Sequence, residues 1–196
     1  MSKNYSFERD VKEALAMAEA LDEYVRGDRL YGVVHGGRLS GGSSLTAGAL
    51  LLRIRRLHLL RSELKDYQVK NLDKAIGFYE KVREEWTFHY QGKLQKEAHS
   101  RLDAMRPFFY ECGENIGHCV VIYKPEILRR TIVQEILIEL DALDVHDAEL
   151  EIKVTGTDNR LRRYVEPAEF QWSDEIKSAY DKEDFWWLFH CPPDVG

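Results

Sequence analysis

From Leu72 to Met105 the apolar residues keep helical register without a slip: Leu72, Ala75, Ile76, Tyr79, Val82, Trp86, Tyr90, Leu94, Ala98, Leu102 and Met105. A spacing of three and four residues puts them on one stripe of a helix. No proline interrupts residues 70–106, and Pro107 then ends or kinks the run. About 36 residues at about 1.5 Å each make a rod of about 54 Å. A compact chain of 196 residues has a diameter of only about 42 Å. So the molecule is elongated or the helix bends, with Gly92 as the expected bend.

The rest of the chain is built to pack around that run. Phe7, Val11, Ala14, Leu15, Ala18, Leu21 and Val25 form an amphipathic helix over residues 7–26, closed by Gly27. A second helix is expected over 45–66, capped by Ser43 or Ser44. Its leucines point nearly all round the axis, as in the central helix of a bundle. Pro125 suits the first turn of a further helix, carried by Leu128, Ile132, Val133, Ile136, Leu137, Leu140 and Leu143. Residues 147–165 read as helix in preference to a hairpin turning at Gly156. The expected fold is therefore an all-α bundle of about five helices, one of them long (about 70–106). It fills residues 1–166, and an acidic, aromatic, irregular tail, 167–196, packs on it. Hydrophobic residues at 44% supply a core, which rules out a disordered chain.

Charge is segregated along the chain. Arg29, Arg38, Arg53, Arg55, Arg56 and Arg61 fall in a stretch, 29–62, with no acid and no lysine. Residues 131–152 carry Glu135, Glu139, Asp141, Asp144, Asp147, Glu149 and Glu151 and no basic residue. The net charge of −6 conceals both blocks. Guanidinium pairs with carboxylate or phosphate through two parallel hydrogen bonds. The first expectation is that the two blocks pair, with the helix at 45–66 beside that at 126–143 or beside its twofold mate in a second copy. The alternative is an anionic ligand at the arginines.

Six glycines fall within residues 27–43, and the stretch runs straight into a helix start. Such a loop reads first as a flexible connector. Its alternative use is an anion cradle, built from Gly36, Gly37, Arg38, Ser43 and Ser44 with Arg53 and Arg56. It lacks the Gly-Lys-Ser/Thr ending of a phosphate loop.

Neither a nucleophile elbow nor a catalytic cysteine motif is present, so no catalytic residue is assigned and the balance is against an enzyme. Cys112, His118 and Cys119 are close in sequence, but without a Cys-x-x-Cys pair no metal and no cofactor is expected. The three cysteines read as structural thiols, with a Cys112–Cys119 bridge geometrically conceivable. The charged first twenty residues are not a secretory signal, and no stretch suits a membrane span, so a cytoplasmic location is expected. The acidic balance disfavours nucleic acid.

The function expected first is a non-enzymatic helical interaction or scaffold protein that self-associates, as a dimer in the simplest case. Trp186, Trp187 and Phe189 are its candidate contact residues, because such side chains anchor interfaces. The alternative is a bundle, ligand-binding or enzymatic, that recognises a phosphorylated small molecule through the glycine loop and the arginines.

Overall fold

The computed structural model describes residues 5–34 and 44–193. Its described residues are all-α apart from one two-stranded pairing. They fall into two compact units, one of residues 5–97 and one of residues 98–193.

In the first unit the run at 7–26 is two helices, α1 (Phe7–Glu19) and α2 (Leu21–Arg26), that meet at Ala20. Ser6 caps α1, its hydroxyl accepting from the Arg9 N–H. The second expected helix, α3, spans Ala47–Leu59. Its cap is Thr46, rather than Ser43 or Ser44; Ser44 is exposed and Ser43 lies outside the described residues. Leu50, Leu51, Leu52, Ile54 and Leu57 of α3 are buried, as expected of a helix apolar nearly all round. α1 packs on α3 and, most extensively, on α4 (Asp66–Glu85).

The long run is not one rod. It breaks at Trp86, and α5 (Thr87–Asp103) follows at once. Gly92, the expected bend, lies inside α5. The cause is local and tertiary together. Trp86 leaves helical geometry, at φ −122° and ψ 35°, and its indole N–H donates to Asp22 of α2 at 2.9 Å. Next to it the Thr87 hydroxyl donates to the Arg83 carbonyl at 2.9 Å. A side chain inserted into the hydrogen-bond ladder bends a helix in this way.

Between α2 and α3, Gly32 and Leu45 exchange both backbone hydrogen bonds, at 2.9 and 3.0 Å. A Cβ at Gly32 would meet the Tyr24 ring at 2.9 Å, so glycine alone lets the chain pass.

The second unit holds the last turn of α5, then α6 (Arg106–Glu114), α7 (Ile116–Ala142) and α8 (Ala148–Leu161). Pro107 sits in the first turn of α6. Cys112 and Cys119 are joined in a disulfide across the α6–α7 corner, where Asn115 caps α7. Pro125 does not begin a helix but lies within α7. The rung it removes is the one to the Val121 carbonyl, and Val121 is 74% exposed, so water can serve that carbonyl. Residues 148–161 are helical, with the Asp147 carboxylate accepting from the Leu150 N–H at 3.0 Å and Gly156 inside the helix.

The tail belongs to this unit. Strand β1 (Glu166–Pro167) pairs antiparallel with β2 (His190–Cys191), Glu166 opposite Cys191. Phe170, Trp172, Tyr180, Phe185, Trp187 and Phe189 pack ring to ring at 5.2–6.5 Å. Trp187 is the anchor. Its indole N–H donates to the Thr131 hydroxyl at 2.9 Å, and its carbonyl accepts from Tyr123 at 2.8 Å. Arg130 lies over its ring at 4.0 Å while holding Asp158 through two nitrogens, at 2.7 and 2.9 Å.

Candidate anion-binding site

Arg53 and Arg56, expected first to pair with the acidic block at 131–152 and alternatively to meet an anionic ligand, are engaged within their own unit by acids of α1. Arg53 donates to Glu13 at 2.7 Å and stands 3.4 Å from Asp10. Arg56 is buried and donates to Asp10 through Nε and Nη2, at 3.1 and 2.7 Å. Both acids lie on α1, the helix packed on α3. Partly buried guanidinium groups held by carboxylates make a structural network rather than an anion site. Gly36, Gly37, Arg38 and Ser43 lie outside the described residues.

The interaction residues of the tail turn inward. Trp186 and Trp187 are 8% and 1% exposed, Phe189 9%. Arg162 covers the Trp186 ring at 3.9 Å, and His190 meets it edge-on. Adjacent tryptophans point apart, and this unit supplies a separate cover for each.

A different cluster of cations does open to solvent. Between the end of α2 and one face of α5 lies a hollow of about 370 Å³. Arg26, His89, Lys93, Lys96, Phe88 and Asp28 line it. Helical spacing brings three of them together, since His89, Lys93 and Lys96 are four and three residues apart on α5. Gly92 sits among them, and a Cβ there would meet nothing within 4 Å, so the hollow is open at that point.

Lys93 organises the wall. Its ammonium donates to the Gly27 and Arg29 carbonyls, at 2.6 Å each, and faces the Tyr24 ring at 4.7 Å. Those contacts hold the turn that brings Arg26 and Asp28 to the rim. Burial, then the neighbouring Lys96 charge, push the Lys93 ammonium below the usual lysine range, while Asp28 opposes the shift. With two carbonyls and a ring face around it, Lys93 is a held cation rather than a nucleophilic amine.

Arg26 pairs with Asp22 and lies over the Trp86 ring at 5.5 Å. His89 meets the same ring edge-on at 5.6 Å. Lys96 makes no ion pair among the described residues, and Phe88 is 87% exposed. The site thus offers cations in excess over acids beside a bare aromatic face. The sequence holds the i, i+4, i+7 spacing of His89, Lys93 and Lys96, which is the signal that was there to find. It does not show that Arg26, 63 residues before His89, closes the ring.

A second hollow of about 370 Å³ shares Gly27 and Asp28 but faces Glu23 and Arg29, a mixed lining with no net preference for an anion. Among the described residues no group of three or more His, Cys, Asp or Glu is placed to hold a metal ion, and no helix is long and apolar enough to cross a membrane. No family model, curated protein or solved structure matches the chain.

Proposed function

We propose that this chain is a helical ligand-binding protein that takes a phosphorylated small molecule with an aromatic ring into the hollow between α2 and α5. The observation that carries the reading is the meeting of Lys93, Lys96, Arg26 and His89 beside the exposed Phe88. A phosphate placed among them relieves the repulsion that Lys96 exerts on Lys93, and the ring of the ligand stacks on Phe88. A volume of about 370 Å³ is in the range of small-molecule sites. The reading rests on this set and not on Arg53 and Arg56, which acids of α1 hold.

The test is calorimetric titration with adenosine 5′-monophosphate. The full chain binds it, and Lys96→Glu and Phe88→Ala each weaken binding by about tenfold or more, which is about 1.4 kcal/mol. Both positions are exposed, so neither variant threatens the fold. Absence of binding by the unaltered chain, or equal affinity in Lys96→Glu, overturns the reading.

Self-association is a second reading. It is favoured by Tyr110, Val121 and Leu128, large apolar side chains exposed on α6 and α7 at 68%, 74% and 42%. Sedimentation of the full chain and of Val121→Glu decides it: a dimer that the charge dissociates supports it, and a monomer in both refutes it.

A further inference from the structure

In the second unit a smaller hollow, of about 190 Å³, lies between α8 and the α5–α6 corner. One face of α8 supplies Lys153, Gly156, Thr157 and Arg160, at i, i+3, i+4 and i+7. Arg106 and Phe109 of α6 face them. We propose that this hollow is a binding site for a small phosphomonoester with a short apolar stem.

Two cations converge there on one carboxylate, and a third, Arg160, stands beside them. Asp103 accepts from Arg106 at 2.7 Å and from Lys153 at 2.8 Å, which fixes both heads near the opening. Lys153 is anchored further by the His99 carbonyl at 3.3 Å. Arg160 is exposed and engages no partner among the described residues. Thr157 lines the same hollow, and its hydroxyl, which engages no partner among the described residues, is open to solvent there. Here it stands beside an unpaired guanidinium, and a tetrahedral oxyanion answers both, accepting from the hydroxyl and from the planar guanidinium fork.

Gly156 shapes the floor. A Cβ at this position would meet nothing within 4 Å, so the missing side chain leaves space on the helix surface. The volume is below that of sites for drug-sized ligands, which selects a phosphoryl group and a short stem rather than a nucleotide. The stem has an apolar wall ready in Phe109 and Leu102, which line the same hollow. Phe109 is itself backed by Tyr164, their rings near parallel at 6.4 Å.

Phenyl phosphate is the probe, inorganic phosphate the comparison, and the backbone amide signals of Gly156 and Thr157 in a nuclear magnetic resonance titration the readout. These amides report this site separately from the hollow of the first unit. Both probes shift them in the full chain, phenyl phosphate at the lower concentration. Arg160→Glu abolishes the shifts. Gly156→Leu fills the hollow and also abolishes binding, read at the Thr157 amide, while the melting temperature stays at or above that of the unaltered chain, because glycine is a poor helix former. Lys96→Glu, in the other unit, leaves the shifts unchanged. If the amides do not move up to about 10 mM phenyl phosphate, ten times a millimolar Kd, or move equally in Arg160→Glu, the proposal is overturned.

Discussion

Replacing Thr46 by valine removes one hydroxyl that serves two purposes at the start of α3. The hydroxyl donates to the Glu97 carboxylate at 2.6 Å and accepts from the Ala49 N–H at 3.2 Å. Glu97 also accepts from the Gly48 N–H at 2.8 Å, and both Thr46 and Glu97 are fully buried. Loss of an N-cap costs about 1 kcal/mol. Loss of a hydrogen bond to a charged group costs about 1.5–3 kcal/mol, and more when the partner has no water to turn to. Valine matches threonine in shape, so no cavity is added. The expected total is about 2–4 kcal/mol. With a urea slope of about 2 kcal/mol/M, a loss of about 3 kcal/mol moves the midpoint down by about 1.5 M. The assay is urea unfolding followed by far-ultraviolet circular dichroism and by tryptophan fluorescence. Trp86 is the one tryptophan of the unit that contains Thr46. Thr46→Ser keeps the hydroxyl and loses only a methyl group, about 1 kcal/mol. A valine variant with the midpoint of the unaltered chain, or a serine variant as damaged as the valine one, would show that this cap does not hold α3.

Trp187→Phe removes the indole N–H that reaches Thr131 and shrinks the ring beneath Arg130; a loss of about 1.5–3 kcal/mol in thermal unfolding is expected, and an unchanged melting temperature would show that the tail does not depend on this anchor. Glu126 is 6% exposed, and its Oε2 has no hydrogen-bond partner among the described residues. Burial raises its carboxyl above the ordinary 4.5, with Arg129 opposing. The folded chain therefore holds this proton at pH values where the unfolded chain has released it, so its contribution favours folding at low pH and declines as pH rises from 4.5 towards the folded value. Glu126→Gln removes that decline: the stability of the unaltered chain minus that of the variant should fall in urea midpoints as pH rises from 4.5 through the raised folded value, and a difference that stays constant with pH contradicts the assignment.

The helices were legible because their causes are local. The stripe Val11–Ala14–Ala18 and the run from Leu72 to Met105 follow a 3.6-residue period, and that period needs no knowledge of the partner surface. The all-round apolar character of Leu50 to Leu57 likewise announced burial. The places where the reading slipped are places where a distant residue decided. Trp86 fits the stripe, and the chain breaks there because Asp22, sixty-four residues earlier, takes its indole N–H. Pro125 would start a helix in isolation, but α7 carries it on an exposed face where one lost rung is cheap.

Side-chain chemistry was legible as inventory and not as pairing. The arginine block stands out in one dimension, yet Arg53 and Arg56 meet Asp10 and Glu13 because α1 packs on α3. Trp186 and Trp187 read from the sequence as contact residues of an interface, and the cover given by Arg162, Arg130 and Thr131 buries them within their own unit. Cys112 and Cys119 could bond or not; the corner at Asn115 brings their Cα atoms to 5.2 Å, and they bond. By itself the sequence determined the all-α class and most helical segments, since periodicity and capping act over a few residues. Only the tertiary structure decided which charges neutralise one another and which stay open to solvent, because electrostatic pairing depends on distance in space, and residues as far apart in sequence as Arg26 and Lys96 become neighbours only once the helices have packed.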